Sequence, residues 1–537
     1  MASVVRHQPP GLAHQAGERA VSGHPVTQVC YTGADMDILF AASELAPMVK
    51  VGGLADVVAA LSKALRLLGN KVTIAIPRFP ALEASGLLLA RRLTPMVLPS
   101  LPGAAGAPAG ERLEFHVLDG KLGSGVELLV IDFPGLFDRP GVYGEGGEDY
   151  PDNARRFGLF CRAVVEVVRQ RARAGTPYDI VHAHDWPTAM VPYLLREQGA
   201  ELGRTRTVLT LHNLSHQGSF PASVLPQLGL GLDHFSTDKL EFYGQVSFLK
   251  GGLLAASAVT TVSTTYAREI LTPELGERLD GVLRNRKDKV LGIINGIDYA
   301  VWNPMTDPAI IARYDAEDTA NKGRCKSALL QEIGLEIQPD RPLIVSIGRV
   351  VAQKGSDLLA AALPKILKGD VSVAIAGKGD AALEAKLEAG VSKSKERAVY
   401  LGAVSEPLSH RLLAAADIVV VPSRYEPCGL VQLYAQRYGA LPVASRTGGL
   451  VDTIVDCDAA LETGSGFLFD KPTAVAFTGA VQRAVAAMTH PRWGALRRRV
   501  MRLDLGWDRP ARRYAHVYRS IVTEPQPAVE AAASPRA

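Results

Sequence analysis

From Met36 onward, short runs rich in Val, Ile and Leu alternate with longer stretches of helical period. That alternation restricts the chain to folds built from βαβ units around parallel sheets. The runs form two series. The first comprises "DILFAAS" (37 to 43), "KVTIAIP" (71 to 77), "VELLVIDF" (126 to 133), "YDIVHAH" (178 to 184), "RTVLTLH" (206 to 212) and "AVTTVS" (258 to 263). The second comprises "PLIVSIG" (342 to 348), "VSVAIAG" (371 to 377), "AVYLG" (398 to 402), "DIVVVPS" (417 to 423) and "LPVASR" (441 to 446). Between them lies "NGIDYAVWNPMTDP" (295 to 308), turn-rich and weakly periodic, which we read as the boundary. The expected architecture is α/β, with two doubly wound, Rossmann-like domains, 36–300 and 301–522, facing a central cleft. The last helix is a candidate to pack back on the first domain. In open α/β sheets, ligands bind beyond the carboxyl ends of the strands, so the strand-to-helix loops are where chemistry is expected.

At 537 residues and 47% hydrophobic composition, the chain has material for roughly two to four cores. Its net charge of +4 arises from 59 basic and 55 acidic residues spread along the length, with no basic block that argues for nucleic acid or membrane. The five cysteines, Cys30, Cys161, Cys325, Cys428 and Cys457, are far apart and lack C-x-x-C spacing, which disfavours a disulfide framework and a zinc site. No apolar run reaches the roughly 18 residues of a membrane span. Residues 1–35, with Pro9, Pro10 and Pro25, are expected to be a disordered extension, and 523–537 a disordered tail. A secretory signal does not fit, and a plastid transit peptide would carry more Arg than Arg6 and Arg19. The cytoplasm is the expected compartment.

Six stretches carry ionisable or glycine-rich chemistry at predicted strand ends. In "KVGGLADV", Gly52 and Gly53 open a helix whose amides favour an anion, with Lys50 beside them; the plainer reading is a tight turn with a solvated lysine. "VHAHDWP" and "TLHNLSHQG" place His184, Asp185, His212 and Asn213 directly after strands, whereas His182, within a strand, reads as a hydrogen-bonded structural residue. His184, His212 and His216 do not match a metal-ligand spacing. In "SIGRVVAQKGSDLL", Arg349 and Lys354 put two cations at a helix entrance, where leaving-group charge on a diphosphate can be stabilised. "SRTGGLVDT" offers Thr447, Gly448 and Gly449 as a second anion cradle. Glu426, in "VPSRYEPCGLVQL", suits the orientation of sugar hydroxyls or stabilisation of an oxocarbenium-like centre. Alone, it reads as an acidic residue stabilising a helix N-terminus.

Taken in order, "KVGGLADV", "AHDW", "LHNL", "GRVVAQKG", "PSRYEPCGLVQLY" and "RTGGLVDT" resemble the motif set of bacterial glycogen synthases and plant starch synthases, over residues 36 to about 520. "EFYGQVSFLKGGL" (241 to 253) and "NGIDYAVWNP" are similar to that family too. The resemblance implies a GT-B fold and retaining transfer of glucose from ADP-glucose to the non-reducing end of an α-1,4-glucan such as glycogen, with no metal or other cofactor. It implies that Lys50, Gly52 and Gly53 meet the donor from the first domain. From the second domain, Arg349 and Lys354 would neutralise the diphosphate. The amides around Cys428, Gly429, Leu430, Thr447, Gly448 and Gly449 would assist, and Asp185, His212 and Glu426 would surround the transferred glucose. Val51 and Pro187 stand where family members often carry Thr and His. Tyr434 stands where many other retaining transferases carry a second Glu, which disfavours a sucrose-forming relative. Two alternatives stay open: another donor such as UDP-glucose, and a non-catalytic glucan-binding protein on the same fold.

Overall fold

The computed structural model describes residues 35–98, 113–197 and 205–523. The expectations for residues 1–34 and for the tail from 524 lie outside these. All eleven runs of the two series form strands, in two sheets.

In the first sheet the strands stand in the order Val290–Gly292, Ala258–Thr261, Arg206–Leu211, Ile180–His184, Asp37–Ala41, Lys71–Pro77, Glu127–Asp132, Leu113–Lys121 and Leu89–Arg91. The first seven run parallel, and the edge is antiparallel. The antiparallel strand Leu113–Lys121, second from the edge, escapes a reading based on apolar runs because the polar His116 interrupts its buried Phe115, Val117 and Leu118, and Glu114 and Asp119 flank them. Winding reverses between Asp37–Ala41 and Ile180–His184, so the loops after these two strands border one crevice.

The second sheet is wholly parallel, in the order Ala398–Tyr400, Ser372–Ala376, Leu343–Ile347, Ile418–Val421, Leu441–Ser445 and Phe467–Phe469. Both faces are covered, and the period-two alternation assigns neighbours to opposite cores. Leu343, Val345, Val419 and Val421 join one cluster, while Ile344, Ile418 and Val420 join the other. Its switch point lies between Leu343–Ile347 and Ile418–Val421.

Residues 293–320 contain no regular helix or extended strand. Trp302, in that stretch, is stacked between His410 (centroids 4.0 Å apart) and Tyr434 (3.9 Å), which ties the segment to the second sheet's helices. The last helix, Asp508–Thr523, returns to the first sheet. Tyr514, Tyr518 and Ile521 are buried in its core, and Tyr518 Oη lies 2.7 Å from His182 Nδ1. The two halves also meet through reciprocal helix-end contacts. Asp452 accepts from Thr265 N (2.9 Å) and Oγ1 (2.6 Å), and Glu269 Oε1 accepts from Gly448 N (2.9 Å).

Candidate active site

Loops from both switch points converge on one cleft of about 920 Å³, within the usual size of a small-molecule site. From the first half, Lys50, Gly52, Gly53, Asp185 and His212 line it. From the second half come Arg349, Lys354, Glu426, Cys428, Gly429 and Leu430. An apolar part of the wall is built by Ile375, Leu387, Val404 and Leu413.

The second-half wall depends on two loops pressed together. Gly355, at φ 71°, follows Lys354; a β-carbon there would lie 2.0 Å from the carbonyl oxygen of Pro422, so only glycine allows the approach. In consequence Lys354 Nζ reaches Glu426 Oε2 at 2.5 Å, and the same oxygen accepts from Ser423 Oγ at 2.9 Å. Glu426 is buried while Lys354 is partly open to the cleft. Arg349 is exposed and touches Gln353 Oε1 at 3.3 Å, which leaves most of its donors turned to solvent. Across the cleft, burial and the charge of Arg349 together hold His216 below the ordinary histidine range.

On the opposite wall, Asp185 has φ 56° and ψ −173°, a backbone region that is costly for any residue but glycine and that clusters at functional sites. Its Oδ1 accepts the backbone N–H of His212 at 2.7 Å. Burial pushes its carboxyl up to about 8 even though that bond favours the charged form. Burial pushes His212 down to about 3 and holds His182 and His184 well below their usual value, so all three imidazoles are neutral at pH 7. His212 Nε2 lies 3.0 Å from His184 Nδ1, and His184 Nε2 is buried with no partner among the described residues. A bare lone pair is cheaper to bury than an orphaned N–H. The His184 proton is therefore assigned to Nδ1, facing His212, and the His212 proton to its own Nδ1. His182 is the structural residue its sequence position indicates, held by Tyr518 and by Thr210 Oγ1 at 2.5 Å.

Three acidic residues that sequence reasoning passed over occupy the groups it singled out. Glu44, at the end of the first strand, accepts the amides of Val51 and Gly52 with Oε2 at 2.8 Å each, and Tyr143 Oη donates to its other oxygen. Lys50 Nζ bridges Asp56 Oδ1 (2.8 Å) and, across the cleft, Glu406 Oε2 (2.9 Å). Burial opposes its charge, but the two carboxylates outweigh burial and raise its pKa. The only signal for Glu44 is its place at a strand's carboxyl end; Glu406 carries the helix-start pattern "SEP" and nothing more.

Thr447, Gly448 and Gly449 depart from the expected anion cradle. They lie behind the Glu426 loop and do not line the cleft. The Gly448 amide is taken by Glu269 and the Gly449 amide by the Glu426 carbonyl at 3.0 Å. A β-carbon on Gly448 would stand 1.9 Å from that carbonyl, so these glycines serve the close packing that supports the Glu426 turn. Cys428 is buried, and burial pushes its thiol up to about 12, so it is not a nucleophile at neutral pH.

Among the described residues, no group of three or more His, Cys, Asp or Glu side chains could hold a metal ion, and no helix is long and apolar enough to cross a membrane. The four described cysteines are free.

Two family profiles match the chain: starch synthase catalytic domain over residues 37–285, and glycosyl transferases group 1 over residues 331–492. It is 42% identical over 493 residues to a glycogen synthase of Anaeromyxobacter dehalogenans, covering 90% of this chain and 99% of that protein. It is 41% identical over 490 residues to glycogen synthase 2 of Geobacter metallireducens, again covering 90% and 99%. Among solved structures, the catalytic domain of starch synthase IV from Arabidopsis thaliana, bound to ADP and acarbose, is similar at TM-score 0.83 and 32% identity, covering 91% of this chain and all of that one. A sucrose-phosphate synthase from Thermosynechococcus elongatus shares the fold at TM-score 0.56 and 19% identity, covering 90% of this chain and 99% of that one. The fold is GT-B.

Proposed function

Because this chain belongs to the glycogen synthase family, we propose that its cleft transfers glucose from ADP-glucose to the non-reducing end of an α-1,4-glucan, with retention of configuration. One observation carries the reading: Arg349 and the Lys354–Glu426 pair stand on one wall of a single cleft, and Asp185 and His212 stand on the other. Cations on one side suit a departing diphosphate, and polar groups opposite suit the hydroxyls of the sugar it leaves. The apolar wall at Ile375, Leu387 and Val404 offers the nucleoside a surface. A relative at 32% identity was solved with ADP and acarbose bound, which supports this donor and acceptor assignment.

In the proposed reaction the glycosidic bond from the anomeric carbon to the diphosphate breaks, and the electron pair leaves with ADP. The acceptor hydroxyl bonds to the same carbon from the same face, and its proton passes to the departing phosphate. Arg349 and Lys354 stabilise the charge that grows on the diphosphate, and this role is assigned to side chains, not to a metal ion. Glu426, fixed by Lys354 and Ser423, orients the glucosyl group. His212, with its proton on Nδ1, donates to a sugar oxygen. An Asp185 carboxyl held near 8 is mostly protonated at neutral pH and thus a poor nucleophile, which favours front-face attack over a covalent intermediate. The cytosol is the proposed compartment.

The test is incorporation of glucose into a glycogen primer from ADP-glucose and, in parallel, from UDP-glucose. Faster incorporation from ADP-glucose is expected. A preference for UDP-glucose would move the chain to a different donor, and no incorporation from either would reject the catalytic reading.

A further inference from the structure

We propose that Tyr243 and Arg278 form a platform at the rim of the cleft that holds an α-1,4-glucan chain remote from its reacting end. This rests on the glucan reading of the site.

Glu241–Phe242 and Gln245–Ser247 pair as an antiparallel hairpin in which Phe242 is opposite Gln245, leaving Tyr243 and Gly244 as a two-residue loop. Both have positive φ, 49° and 78°, the form such loops take when the turn twists with its strands. The first loop position suits Asn, Asp or Gly; a bulky Tyr there works against the backbone. Burial does not compensate, because Tyr243 is 69% exposed. A second strained turn meets the first. Glu277 and Arg278 have φ of 49° and 67°, and the Arg278 guanidinium lies 5.3 Å from the centroid of the Tyr243 ring. Among the described residues, five that are not glycine have positive φ, and three of them stand in these two turns. Backbone strain of this kind persists where function requires the side chain it carries.

The position points to the ligand. Gln217 Nε2 donates to the Glu277 carbonyl at 2.8 Å, and its neighbour His216 lines the cleft. The platform is thus joined through Glu277 and Gln217 to the wall of the proposed transfer site. Phe242 meets Tyr243 edge-on at 4.8 Å, and Arg278 covers the ring, so the aromatic group is braced as a flat, half-polar surface. An exposed aromatic face packs against the C–H face of a pyranose, while an adjacent guanidinium bonds its hydroxyls. A long glucan whose end enters the cleft offers that chemistry at the rim. The donor does not, since its nucleoside belongs inside the cleft.

Tyr243→Asn tests this without threatening the fold, because Asn suits the turn better than Tyr; its thermal midpoint should equal or exceed that of the unaltered protein. In native gels containing glycogen, the unaltered protein should be retarded and Tyr243→Asn much less so, with Tyr243→Phe retaining the retardation. In kinetics, Tyr243→Asn should raise KM for glycogen by roughly three- to tenfold, with KM for ADP-glucose, KM for maltotriose and kcat little changed. Equal retardation and equal KM in Tyr243→Asn would overturn the platform while leaving the transfer reaction standing. Loss of retardation in a protein that transfers no glucose would keep the platform and reject the reaction.

Discussion

Lys354 Nζ and Glu426 Oε2 stand 2.5 Å apart and join the two loops that flank the switch point of the second sheet. The pairing makes the two residues one unit. Lys354→Ala strands a buried carboxylate and is expected to cost roughly 1–3 kcal/mol of stability, whereas Glu426→Gln leaves the lysine open to the cleft and costs less. Each is expected to lower kcat by about a hundredfold or more. The double variant should lose little beyond the worse single one. Additive losses in kcat would show that the residues act separately.

If Lys50 serves the donor, its bridge to Glu406 ties up that cation. Releasing it with Glu406→Gln is expected to lower KM for ADP-glucose by about two- to fivefold, the modest worth of a partly exposed ion pair. Lys50→Met should raise it. A higher KM in Glu406→Gln would instead make Glu406 a donor ligand.

Acid and alkali act on the site in opposite senses. His212 is held at about 3 against an ordinary 6.5, so its contribution to stability is complete above 6.5 and is lost as pH falls toward 3. Asp185 is held at about 8 against 3.8, so its contribution is complete below 3.8 and is lost as pH rises through 8. Thermal midpoints measured against pH should show that His212→Asn flattens the acidic decline and that Asp185→Asn gains on the parent protein between those two values. Parallel curves for parent and variants would refute the assignments.

If leaving-group charge falls on Arg349 and Lys354 alone, prolonged dialysis against a chelator leaves the rate unchanged, and added magnesium or manganese does not raise it. A rate that collapses with chelator and returns with one cation would place a metal in the reaction.

Much of this architecture is legible in the chain because parallel strands buried on both faces must be continuous apolar runs, such as "DIVVVPS" and "KVTIAIP". The ends of those runs then indicate where Asp185, His212, Arg349 and Glu426 stand. What the runs do not carry is partnership across space. Glu44, Glu269 and Glu406 are single carboxylates without a motif, yet Glu44 takes two amides of its own loop, and Glu269 and Glu406 take an amide and an ammonium from distant ones. Thr447 to Gly449 show the converse: a glycine pair that opens a helix looks the same in sequence whether it faces a ligand or the back of another loop. Tyr243 is conspicuous only once φ is known, since "FYGQ" reads as an ordinary hairpin tip.

The helix Asp508–Thr523, docked on the first sheet, has a consequence for how the protein is made. The last strand of that sheet ends at Gly292, but Tyr514, Tyr518 and Ile521 complete its core, and His182 waits for Tyr518. At synthesis speeds of about 5 to 20 residues per second, the first half emerges on the order of ten seconds or more before it can close. Vectorial folding, one finished half after another, is therefore unavailable to this chain. A message truncated anywhere before the final helix yields a first half with an apolar face uncovered, and ribosome-bound intermediates of that length are the species most in need of a chaperone.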